Sequence, residues 1–128
     1  MSSIISSGIR VSVETSFQAD ISVPEENHFV FAYRITIENK NDFPVRLVRR
    51  HWDIIDSNGL HREVDGDGVV GMQPIIQPGE QYSYVSACNL QTDMGMMMGH
   101  YQMQNIFTQQ HFKCTIPAFV MEAPYRLN

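Results

Sequence analysis

The sequence predicts an all-β protein, an antiparallel β-sandwich of seven to nine short strands. Three observations carry that expectation. Apolar and polar residues alternate along most of the chain, as on half-buried strands. Turn-forming residues recur at roughly eight to twelve positions. No segment has the periodicity of a convincing amphipathic helix.

Taken in order, Gly8–Phe17 puts Ile9, Val11, Val13 and Phe17 on one face and Arg10, Ser12, Glu14 and Ser16 on the other. His28–Asn39 gives the strongest strand signal, with Phe29, Phe31, Tyr33, Ile35 and Ile37 in phase. Asn39–Asp42 is a turn, just ahead of Pro44. Val45–Asp56 is a third strand whose phase slips. Val45 and Leu47 share one phase, while Val48, Trp52 and Ile54 share the other. Such a slip predicts a bulge, or burial on both faces. Ser57-Asn58-Gly59 reads as a hairpin turn into Leu60–Val64, and Asp65–Gly71 as a glycine-rich loop. A short apolar segment, Met72–Ile76, leads to a type II turn at Gln77–Glu80. Gln81–Leu90, Met94–Gln104 and Phe112–Met121 complete the strands, with Pro117 marking an edge or a bend. Only Asn105–Gln110 offers a helical turn. The count and spacing point to an immunoglobulin-like sandwich. Closure into a barrel is the alternative that periodicity leaves open.

The 128 residues suit a single domain, 1–128. With 43% hydrophobic and 18% charged residues the chain is not a disordered one. A net charge of −5 lacks the basic footprint of nucleic-acid binding, so no nucleic acid is expected. No stretch approaches the roughly 18 apolar residues of a membrane span, and no signal peptide is read at the N-terminus. The cytoplasm is the expected compartment. Cys88 and Cys114 are therefore expected to be reduced and buried rather than paired.

Gly66-Asp67-Gly68-Val69-Val70-Gly71 spells G-x-G-x-x-G. In a dinucleotide fold that motif opens a helix whose amides hold a pyrophosphate. Here Pro74 follows at once and strands lie on both sides. The loop is therefore expected to be a tight connection needing positive φ at glycine, with weak anion binding by its amides as the alternative. Val69 and Ile76 exclude an EF-hand. Arg49, Arg50 and His51 are the natural companions of the loop if an anion binds. Strict alternation would set Arg46 and Arg50 on one face and Arg49 and His51 on the other. His51 and Asp53 share a face, but two ligands are too few for a metal site, and none is expected. The five histidines are otherwise scattered, and no nucleophile motif is present, so no enzyme and no cofactor are expected. Met94, Met96, Met97, Met98 and Met103 form a methionine-rich stretch suited to an adaptable contact surface.

Several blocks together resemble the ApaG family. They are Val48-Arg-Arg-His-Trp52, Asp65–Gly71, Gln73-Pro74, Pro78-Gly79-Glu80, Tyr84-Val-Ser86, Leu90, Thr92, Gly95, Met97, Gly99, Tyr101 and Phe112–Phe119. The resemblance covers essentially the whole chain. It implies an immunoglobulin- or fibronectin-III-like sandwich in a bacterial cytoplasmic protein. It also implies a non-enzymatic binding or protein-interaction module, with genetic associations to divalent-cation handling and dinucleoside polyphosphate metabolism. The family's glycine motif, suspected of binding pyrophosphate, maps to Gly66, Gly68 and Gly71. The expected partner is a protein, or a second copy joined through an edge strand.

Overall fold

In a computed structural model of the protein, which describes residues 1–124, nine strands form. They are β1 (Ser2–Ser6), β2 (Ile9–Phe17), β3 (Phe29–Asn39), β4 (Val45–Asp56), β5 (His61–Asp67), β6 (Ile75–Ile76), β7 (Gln81–Leu90), β8 (Met94–Asn105) and β9 (His111–Glu122). The 3-10 turn Pro24–Glu26 precedes β3. Two antiparallel sheets result, ordered β1-β2-β3-β7 and β5-β4-β8-β9, with β6 joined to β4. The expected sandwich is thus observed. Ser2–Ser6, read in sequence as no element at all, is a strand because it pairs along β2 from Ser2↔Val13 to Ser6↔Ile9.

Alternation builds the core. Ile9, Val11, Val13, Phe31, Ile35, Ile37, Leu47, Met97, Tyr101 and Met103 are buried between the sheets. They share the inward phase of the period-two alternation of their strands, and at the start of β3 Val30 is buried as well. Across the core, the hydroxyls of Tyr84 in β7 and Tyr101 in β8 bond to each other at 2.5 Å. Burial pushes both phenols above their ordinary pKa, so the bond joins two neutral hydroxyls. Cys88 and Cys114 are free and buried.

The phase slip in β4 is a bulge. Leu47 pairs with Met103 of β8, but Arg49 pairs with Gln102, leaving Val48 as an extra residue. Before it Val45 and Leu47 are buried, and after it Trp52, Ile54 and Asp56 are buried. The bulge corrects one expectation from strict alternation. Arg46 and Arg50 lie on opposite faces. Arg46, Arg49 and His51 share the outer face, and Arg50 turns inward with Trp52.

One lateral side of the sandwich is sewn shut. Ser7 Oγ donates to Lys113 O at 3.0 Å, and Thr115 N donates to Ser6 Oγ at 2.7 Å, tying the β1 end to β9. On the other side the edge strands β5 and β7 face each other across a gap. Among the described residues no helix is long and apolar enough to cross a membrane.

The buried tyrosine pair predicts a specific non-additivity. Tyr101→Phe should cost about 1–3 kcal/mol, because it strands the Tyr84 hydroxyl. Adding Tyr84→Phe should recover much of that loss, as read from urea unfolding midpoints of the single and double variants.

Candidate functional site

The glycine-rich segment is an arch in a sheet edge, opposite the Val48 bulge. β5 runs to Asp67, so Asp65–Asp67 are strand rather than loop. Beyond the arch, β6 resumes pairing with β4 at Val45 and Arg46. Gly68 N and Gln73 Nε2 both donate to Val48 O, at 2.8 and 3.0 Å, clasping the bulge. Val69 and Met72 exchange backbone bonds of 2.8 and 2.9 Å around Val70 and Gly71, whose φ values are 48° and 76°. Positive φ at both central residues is the geometry of a type I′ turn. Val69 is fully buried and anchors the arch.

The three glycines meet three different demands. Gly68 has φ of 58°, and a Cβ there would lie 1.9 Å from Met72 O. Gly71 occupies the left-handed position of the turn. Gly66 needs no positive φ, contrary to the expectation for the whole motif. A Cβ on it would instead meet the Arg50 guanidinium at 2.7 Å.

The residues predicted to accompany the loop are already engaged. Arg49 Nη1 donates to Asp67 Oδ1 at 2.6 Å. Arg50 Nη1 donates to Asp67 O at 3.1 Å and Gly68 O at 2.9 Å. Arg49, Arg50 and His51 do converge, with His100 and Lys113, on a depression of about 200 Å³, but Gly66, Gly68 and Gly71 do not line it.

The register assembles a larger cluster around His51. β4 faces β5 with His51↔Asp65, Asp53↔Glu63 and Ile55↔His61, and β8 sets His100 beside His51. His51 Nδ1 lies 2.9 Å from Asp65 Oδ1, and its Nε2 lies 3.1 Å from Asp53 Oδ2. His61 Nε2 reaches Asp53 Oδ1 at 2.9 Å, and the His100 ring stacks on His51 at 5.1 Å between centroids. Only an imidazolium can donate from both nitrogens at once. The bond to Asp65, helped by Asp53, accordingly lifts the His51 pKa above 6.5. His61, then His51, holds the Asp53 carboxyl below the usual range. Burial, with Lys113 and His51 nearby, lowers the His100 pKa. One ligand atom each from His51, Asp53 and Glu63 lies within 4.8 Å of the others, so these three could hold a metal ion. Sequence reading found His51 and Asp53 but missed His61, Glu63 and Asp65. The signal was present, because the Ser57-Asn58-Gly59 turn folds those alternating β5 residues back onto them.

Two outcomes follow. As pH rises, His100 should lose its proton before His51 in a histidine NMR titration, and Asp65→Asn should bring the His51 midpoint down. The raised His51 pKa stabilises the fold fully below pH 6.5, and that contribution fades as pH climbs through the His51 midpoint. Separately, Val70→Asn should raise stability by about 1 kcal/mol in urea unfolding, because Asn tolerates the left-handed region and a β-branched residue does not.

Known proteins place this architecture. The family described as ApaG domain matches residues 19–105. Protein ApaG of Brucella abortus (strain S19) is 45% identical over 124 residues, covering 97% of this chain and 95% of that protein. Protein ApaG of Brucella anthropi is 47% identical over 120 residues, covering 94% and 92%. The crystal structure of a Bordetella pertussis protein given the name ApaA superposes with a TM-score of 0.87 at 36% identity, over 91% of this chain and 94% of that one. None of these names denotes an enzyme. The chain belongs to the ApaG domain family.

Proposed function

We propose that the protein is a non-catalytic binding module whose outer β4–β5 face takes a first-row divalent cation. The contact between His51 Nε2 and Asp53 Oδ2, 3.1 Å apart, carries this reading. When the ring is neutral and donates its Nδ1 proton to Asp65, the Nε2 lone pair faces a carboxylate oxygen. Two acceptors so close require a proton or a metal ion between them. Ligands bound at about 2.0–2.1 Å in adjacent coordination positions lie about 3 Å apart, which matches this spacing. Glu63 supplies a third donor. Asp65 is the outer carboxylate that orients a metal-binding imidazole. Mixed nitrogen and carboxylate donors suit zinc or its neighbours better than magnesium.

The non-catalytic part rests on the nucleophiles. Burial raises both thiols, Cys114 to about 12, so neither is a ready thiolate. A second reading, a small-anion site, is favoured by the depression lined by Arg49, Arg50, His51 and Lys113, although Asp65 lines it too. For a protein partner, the exposed Val70, Met72 and Ile75 around the arch are the surface we assign.

Calorimetric titration with zinc ions should show one ion bound, with proton release that grows as the pH is lowered through the His51 midpoint. Asp53→Asn and Glu63→Gln should each weaken binding about tenfold or more. Zinc affinity indifferent to both substitutions would end the cation reading. Pyrophosphate binding that Arg49→Gln abolishes would install the anion reading instead.

A further inference from the structure

The gap between β5 and β7 is a cleft of about 280 Å³, distinct from the outer cluster. Its floor includes Ile54, Met97 and Trp52, and Arg50 and Arg62 stand over it. Three observations single it out. Trp52 is only 2% exposed, yet its Nε1–H has no acceptor among the described residues. A buried donor without a partner costs free energy, and here that cost sits in the cleft floor, which makes the indole a sensitive reporter of anything bound there. Second, neither Arg50 nor Arg62 has a carboxylate within salt-bridge distance among the described residues, although the chain carries a net charge of −5. Their bonds go to neutral acceptors, from Arg50 Nη1 to Asp67 O and Gly68 O and from Arg62 Nη2 to Asn89 O at 2.5 Å and Cys88 Sγ at 3.8 Å. A guanidinium has five N–H donors, so each keeps several for a ligand. Third, the Arg62–Asn89 bond links β5 to β7 at the cleft, and both residues line it.

The lining selects the ligand. The two guanidiniums are cationic donors, so the ligand must offer acceptors and negative charge. The apolar floor selects against a strongly hydrated dianion, whose desolvation would cost more than a monoanion's. A cavity below roughly 300 Å³ sits at the small end of ligand pockets, too small to enclose a nucleotide. The Cys88 thiol at the wall is held protonated by burial, which favours reversible binding over covalent chemistry. We propose that this cleft binds a carboxylate carried on a short apolar stem, with Arg50 and Arg62 pairing the carboxylate and the stem lying on the floor formed by Trp52, Ile54 and Met97. The same chemistry is offered by a free short-chain acid and by the C-terminus of a peptide ending in an apolar residue.

The chain has a single tryptophan, so its indole N–H gives one unambiguous NMR signal. The full chain would be titrated with butyrate, with N-acetyl-Ala-Leu, and with the C-terminal amide of that dipeptide. A saturable Trp52 indole shift with the carboxylates, at about millimolar or lower Kd, and none with the amide, is the expected result. Whichever carboxylate binds more tightly identifies the source. Arg62→Gln should weaken binding about tenfold, through loss of a charge-assisted pair. Arg62→Lys, which keeps the charge and a single donor to Asn89 O, should lose less. Urea midpoints of both variants separate lost binding from lost folding. An indole signal unmoved by either carboxylate at tens of millimolar would overturn the proposal, as would an equal shift with the amide or a tighter response to inorganic phosphate. None of these outcomes depends on zinc, so the cleft and the outer cluster stand or fall separately.

Discussion

The extra residue at Val48 is the constraint on which the functional surfaces depend. Side chains alternate with period two, so one inserted residue exchanges the faces of everything beyond it. Without it Arg50, Trp52 and Ile54 would point to solvent, and His51 and Asp53 would point into the core. With it, one strand carries an aromatic floor and a guanidinium on its inner side and an imidazole–carboxylate pair on its outer side. The bulge is held by two donors on one carbonyl, Gly68 N and Gln73 Nε2 on Val48 O. The glycine arch and the bulge are therefore two halves of one device.

That pairing explains a motif that looks like a cofactor signature. In a dinucleotide fold the glycines serve a helix N-terminus, where aligned amides face a phosphate. Here the amides of Gly68, Val69 and Met72 are spent on the sheet and on the turn itself. What the arch presents toward Arg50 is carbonyl oxygen, the opposite polarity. Gly66 serves the same contact, since a Cβ there would push the Arg50 guanidinium from its present place.

Electrostatics are divided between the two faces of β4. Outside, His51 sits between Asp53 and Asp65, where the negative surroundings raise its pKa. Inside, Arg50 and Arg62 are met by neutral carbonyls and the Cys88 sulfur, with no carboxylate within salt-bridge distance among the described residues. The two faces of β4 thus present an imidazole–carboxylate cluster outside and a guanidinium beside an aromatic floor inside. Asn39 and Asp56, the buried polar residues of the described chain, hold the ends of this framework. Asn39 Nδ2 donates to Phe43 O and Ile76 O, and Asp56 Oδ2 accepts from Gln91 N.

By itself the sequence determined most of the strands, the inward faces of β2 and β3, the slip in β4 and the His51–Asp53 pair. These are properties of neighbours in the chain, and period two exposes them. Ser2–Ser6 was invisible because its burial pattern is not alternating, and only pairing with β2 makes it a strand. The direction in which Arg50 points, the union of His51 with Glu63 and Asp65, and the cleft were decided by tertiary structure alone. Each depends on cross-strand register or on the spacing of two sheets. Those are set by how whole strands pair and pack, not by the spacing of residues along one of them.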